Sequence, residues 1–225
     1  MRRFLVQPGW TVQLCWALLL CLSLPLYAQE VLRGEVKIEM EQMRGFSTEE
    51  TRLLSPEEAR NAALEDAAVF FGAMIYGWSF HYEVGERARN IEERLDLTPL
   101  GSINANDPRL EAEEPQLRDF ILYLWSDYRL SDTQRHRLAK WRAGNTRTAQ
   151  AFGYSTLEDK HAALEDAART ALRAMLRSME RNRPKEVTGY ISLAAFPRYG
   201  LNSGHWMAAG RFRIEILEIV PFAAY

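Results

Sequence analysis

The sequence predicts an α+β fold in which two related long helices pack on a mainly antiparallel sheet. Three observations lead there. Val36, Ile38 and Met40 alternate with Glu35, Lys37, Glu39 and Glu41, the period-two pattern of a half-buried strand. Apolar stripes at helical spacing follow capping signals elsewhere in the chain. The heptapeptide AALEDAA at 62–68 also returns letter for letter at 162–168. Ser55 and Glu58 are mirrored at the same offset by Ser155 and Glu158, each pair at capping-box spacing. A helix start written twice points to internal duplication within one domain over 29–225, with related halves at 29–97 and 118–225. Convergent use of ordinary early-helix residues is the plainer alternative.

Taken in order, Ser55-Pro56-Glu57-Glu58 opens the first helix, with proline at the first helical position, where its missing amide costs nothing. Leu64, Ala68, Phe71 and Ile75 form the helix's stripe, and Gly77 ends it. Trp78, Phe80, Tyr82 and Val84 then alternate with Ser79, His81 and Glu83 as a strand. Residues 86–96 read as a short charged helix with Ala88, Ile91 and Leu95 inward, and 98–115 as turn-like around the break at 104–108. Residues 118–129 are apolar without interruption from Phe120 to Trp125, and their aromatic content favours a strand. Ser131 and Gln134 cap a basic helix reaching Arg142, with Leu138 and Trp141 inward. Residues 144–153 read as a connection, and the repeated helix as 156–181, striped by Leu164, Ala168, Leu172, Met175 and Met179 before Pro184. Strands at 187–196 and 206–219 close the chain, joined by a hairpin loop at 197–205.

Residues 1–28 have the order of a secretory signal peptide: Arg2 and Arg3, an apolar run from Leu14 to Leu26, then Ala28 at the cut. The run is short for a membrane-spanning helix, which needs about 20 apolar residues. The expectation is an exported, periplasmic chain, a retained leader being the alternative. Both cysteines, Cys15 and Cys21, lie in this leader, so the mature chain would carry no disulfide and no thiolate. Lipid anchoring at Cys21 is a second alternative, against which Leu20 stands as a bulky neighbour. Membrane association is expected only if the leader is kept or Cys21 is lipidated. The leader contributes two arginines and no acid, so the formal charge passes from −2 to −4 on its removal. A mildly acidic domain lacks the footprint of a nucleic-acid binder.

The chemistry is less legible. Phe70, Phe71, Tyr76, Trp78, Phe80 and Tyr82 form an aromatic stretch that could be a platform for sugars or peptidoglycan, although core filling explains it first. His81 and Glu83 share one face of a strand, but His136, His161 and His205 are scattered and supply no further ligand at metal spacing. The acids Glu65-Asp66 and Glu165-Asp166 resemble paired catalytic carboxylates, yet early helix acids are favoured by the helix dipole. The 197–206 segment mixes polar and aromatic residues between glycines, and its Arg198, Tyr199, Asn202, His205 and Trp206 form the candidate recognition site. Nucleophile elbow, phosphate loop, dinucleotide fingerprint and calcium loop are all missing. No cofactor or metal is expected.

The helix register Ala59, Ala62, Ala63, Asp66, Ala67, following a strand after the leader, resembles the N-terminal domain of flagellar assembly protein T and related surface-lipoprotein domains. The likeness covers about one helix per copy and implies an envelope accessory role without catalysis. The leading expectation is therefore a non-catalytic binding or scaffolding protein of the cell envelope, partnered by an envelope protein or peptidoglycan. The alternative is a periplasmic hydrolase of unfamiliar type using His81, Glu83 or the duplicated acids.

Overall fold

In the computed structural model, strand residues outnumber helical ones, and this corrects the expectation of two long helices on one sheet. The structure describes residues 30–43, 51–85, 92–179 and 184–221, so the proposed leader, its cleavage point and Cys21 lie outside the described residues. In chain order the described strands are β1 (Val31–Glu39), β2 (Glu41–Met43), β3 (Thr51–Leu53), β4 (Trp78–Glu83), β5 (Arg94–Pro99), β6 (Leu110–Ala112), β7 (Gln116–Arg118), β8 (Ile121–Arg129), β9 (Arg147–Ser155), β10 (Pro184–Leu193), β11 (Arg198–Asn202) and β12 (His205–Pro221). The described helices are α1 (Pro56–Ile75), α2 (Asp132–Ala143) and α3 (Lys160–Ser178). No described helix is long and apolar enough to cross a membrane.

The pairings are antiparallel throughout. One sheet sets β1 against β8, with the short β6 and β7 sharing the other edge of β8. The larger sheet runs β9-β12-β10-β4-β5, and β11 continues along the edge of β12 that β10 occupies. β2 and β3 form a separate ribbon. In β1 the residues Leu32, Val36 and Ile38 are buried while their neighbours face outward, as the alternation predicts.

α1 lies between the two sheets and is buried around much of its circumference: Ala63, Asp66, Ala67, Phe70, Phe71 and Ile75 all lose solvent. Its capping box forms, with Ser55 Oγ accepting from the Glu58 amide at 3.2 Å and Glu58 Oε2 accepting from the Ser55 amide at 2.9 Å. Phe71 stacks on Tyr128 of β8 and meets Phe196 edge-on, which ties α1 to both sheets. α3, by contrast, buries one stripe (Ala163, Leu164, Ala167, Ala168, Ala171, Leu172, Met175) against β9 and β12.

Four further expectations are corrected. The second copy of the capping box does not form. Ser155 stays in the β9 ladder opposite Trp206, and Asp159 caps α3 by accepting from the Ala162 amide at 3.0 Å. The segment 144–153, read as a connection, is strand from Arg147 onward, as part of β9 (Arg147–Ser155). Its inward side chains Ala149, Ala151 and Gly153 are small because α3 lies directly over them; a Cβ on Gly153 would come within 2.0 Å of the Ala167 nitrogen. The expected charged helix over 86–96 is replaced from Arg94 onward by β5, where Leu95 and Leu97 face the core, while 86–91 lie outside the described residues. The 197–205 loop is itself largely strand, since β11 folds back on β12 through a two-residue turn at Ser203 and Gly204, both at positive φ.

Candidate functional site

The acid of the first heptapeptide anchors the candidate site. Asp66 sits on α1 at 4% exposure, where an isolated carboxylate would be strongly disfavoured. Its charge is met by two neighbours at the start of α3. Lys160 Nζ donates to Oδ2 at 2.5 Å, and His161 Nε2 donates to Oδ1 at 2.8 Å. These partners precede the second heptapeptide directly, so the start of one repeated segment neutralises the acid of the other.

The ammonium of Lys160 is also caged by rings. It lies 4.9 Å from the Tyr199 centroid and 5.2 Å from that of Trp206, both within cation–π range. Trp206 is held by its indole NH, which donates to the Leu157 carbonyl at 3.1 Å. Tyr199 stacks on Phe70 of α1 and meets Trp206 edge-on. Its hydroxyl is buried and without a hydrogen-bond partner among the described residues. Burial, with the carboxylates of Asp66 and Asp159 nearby, pushes the Tyr199 phenol above its ordinary range, so it stays a neutral donor.

The Asp66–Lys160 pair forms a wall shared by two clefts. The first, about 620 Å³, is lined by Glu39, Glu41, Glu65, Glu158, Asp159 and His161 with Ile38, Leu157, Leu201 and Trp206. The second, about 550 Å³, is lined by Glu35, Lys37 and Arg198 with Val36, Phe70, Phe196, Pro197 and Tyr199. Carboxylates dominate the first lining, while bases slightly outnumber acids in the second. Among the described residues no Ser, Thr or Cys lines either cleft. Among the described residues no cluster of three or more His, Asp, Glu or Cys is placed to hold a metal ion.

Of the five residues singled out from the 197–206 segment, Tyr199 and Trp206 form the lysine cage, and Arg198 lines the second cleft. Asn202 and His205 instead flank the tight turn, where Asn202 Oδ1 accepts from Ser203 Oγ and His205 Nδ1 faces the Ser203 carbonyl. Of the other candidates, Glu65 and Asp66 line the first cleft together, while the rest do not converge on it. His81 and Glu83 meet each other at 3.2 Å on β4, away from both linings. Glu165 pairs with Arg169, and Asp166 accepts the Tyr154 amide at 2.9 Å. Lys160 escaped the sequence reading, and His161 was set aside there as a scattered histidine, because their partner is more than ninety residues away; their one local signal is their place immediately before the repeated segment.

A second polar cluster is structural. Asp107 takes two bonds from the Arg109 side chain, through Nε and Nη2, and one from the Tyr128 hydroxyl. Gln134 Nε2 donates to the hydroxyls of Tyr128 and Tyr76. The Arg109 guanidinium beside it holds the Asp107 carboxyl at about 2. These bonds fasten the 104–109 turn, β8 and the start of α2 to the end of α1.

Comparison with known proteins adds kinship without chemistry. The chain is 24% identical over 176 residues to an uncharacterised protein of Treponema pallidum (strain Nichols), covering 76% of this chain and 74% of that one. No solved structure matches it. A protein-family model matches residues 24–222, and the chain belongs to that family.

Proposed function

We propose that this is an exported envelope protein that binds a short zwitterionic peptide across the Asp66–Lys160 wall and does not transform it. The observation carrying this reading is the caged pair itself: a buried carboxylate, a lysine held between Tyr199 and Trp206, and clefts of differing charge on either side. An ammonium suits the carboxylates of the first cleft, and a carboxylate suits Lys37 and Arg198 in the second. The unpartnered Tyr199 hydroxyl offers a donor to the same ligand. Peptidoglycan stem peptides have this chemistry, and the expected periplasmic address would bring them within reach. The linings formed by the described residues hold no Ser, Thr or Cys, and this, with the bond of His161 to Asp66, supports binding over hydrolysis.

Titration calorimetry with soluble stem peptides, and separately with peptide-free glycan, tests the proposal. Peptides should bind and glycan should not, with affinity falling about tenfold in Lys37→Glu and in Glu41→Lys. Binding of neither ligand, or peptide binding indifferent to both substitutions, overturns it, and release of a cleaved product overturns the non-catalytic part. A native N-terminus at Gln29, read by mass spectrometry, checks the export reading.

A further inference from the structure

Beyond the clefts, we infer that strand β9 is a self-association edge through which two copies of this chain join their larger sheets about a two-fold axis. β9 is the outermost strand beside β12. Two observations show which of its backbone groups face away from the sheet. The Tyr154 amide is given to Asp166, outside the ladder. On β12, the Arg211 carbonyl accepts from Ala194, on the side away from β9, so its β9 partner Gln150 also turns its backbone outward. By alternation Thr148, Gln150 and Phe152 present outward amides and carbonyls, and none has a described partner.

The edges at β1, β5, β6 and β7 are guarded and this one is not. β5 carries Arg94 and Asp96 with Pro99 at its end, β1 alternates Arg33, Glu35, Lys37 and Glu39, and β6 and β7 are three residues each. From Thr148 to Ser155, β9 has no charge and no proline, and its Phe152 and Tyr154 are 57% and 48% exposed.

A second copy is favoured as the occupant because the strand complements itself. Since the Tyr154 amide is already used, the free groups centre on Gln150. The register is therefore Gln150 opposite its counterpart, with Thr148 opposite the other copy's Phe152. That register carries Arg147, exposed and without an ion pair among the described residues, to the position opposite Gly153 of the second copy. Gly153 packs under α3 beside Asp166, on the face toward which Arg147 also points. Antiparallel pairing thus places one charge of each sign at both ends of the joint.

Sedimentation equilibrium of the protein as isolated from its cells should show a monomer–dimer exchange with Kd on the order of 10 μM, as for a small interface. Hydrogen exchange should find the Thr148, Gln150 and Phe152 amides protected at high concentration and exposed on dilution, with Tyr154 unchanged. Gln150→Pro should give monomers with an unaltered circular dichroism spectrum. Arg147→Glu should weaken the dimer about tenfold, with Arg147→Lys restoring it. A chain that stays monomeric at every concentration overturns the inference, as does a dimer that survives Arg147→Glu with those three amides exchanging fast.

Discussion

Asp66 and Asp166 occupy the same place in an identical heptapeptide, yet one neutralises a caged lysine across the fold while the other accepts a strand amide. The difference lies in what surrounds each helix. α1 is enclosed by both sheets, so the carboxylate of Asp66 is buried and must find compensating charge. α3 covers one sheet, and Asp166 sits at the margin where β9 leaves an amide unpaired.

Replacing these twin residues should therefore have unequal consequences. Asp66→Ala strands a largely buried Lys160 and should destabilise the fold by about 3–5 kcal/mol. Asp166→Ala removes one bond to a backbone amide and should cost about 1 kcal/mol. Urea unfolding of both variants checks this, and equal losses would contradict the two environments.

Gly153→Ala should destabilise by about 3 kcal/mol. The added methyl has no flexible neighbour to displace, since it meets the backbone of α3 at Ala167 and Ala163. By comparison Gly200→Ala, where a Cβ meets nothing within 4 Å, should be nearly silent. Thermal melts of the pair distinguish the two sites.

Tyr199→Phe should leave the unliganded protein as stable as before or about 1 kcal/mol more so, because it deletes a buried hydroxyl that has no partner. The same change should weaken peptide binding. Loss of stability together with unchanged binding would show that the hydroxyl serves the fold and not a ligand.

Acid should loosen the 104–109 turn in a defined window. The Asp107 carboxyl is lowered from 3.8 to about 2 in the folded chain, first by the Arg109 side chain. A depressed folded value means that the unfolded chain takes up the proton first. The contribution of Asp107 is therefore complete above about pH 4 and drains away as the pH falls toward 2. Melts of the wild type and Asp107→Asn should differ at pH 7 and converge near pH 2; a constant gap would contradict the assignment.

Much of the local structure was legible from residue order. The capping boxes at Ser55 and Ser131 form as spaced, and β1, β4, β8, β10 and β12 follow their alternating or aromatic patterns. β9 was not legible, because the strand signal is carried by bulky inward residues and α3 leaves room for alanine and glycine alone. The second capping box failed for a related reason: Ser155 was already committed to the ladder with Trp206, and Asp159 was the nearer cap.

The sequence by itself determined where α1 and α2 begin, which faces of most strands turn inward, and that the 197–206 segment holds the aromatic residues Tyr199 and Trp206. Those outcomes depend on contacts within a few residues or on strict periodicity. The tertiary structure alone decided that sheets outweigh helices, that Lys160 and His161 belong to Asp66, and which sheet edge is left bare. Such pairings join segments separated by tens of residues, and local propensity carries no record of which distant charge a buried carboxylate will meet.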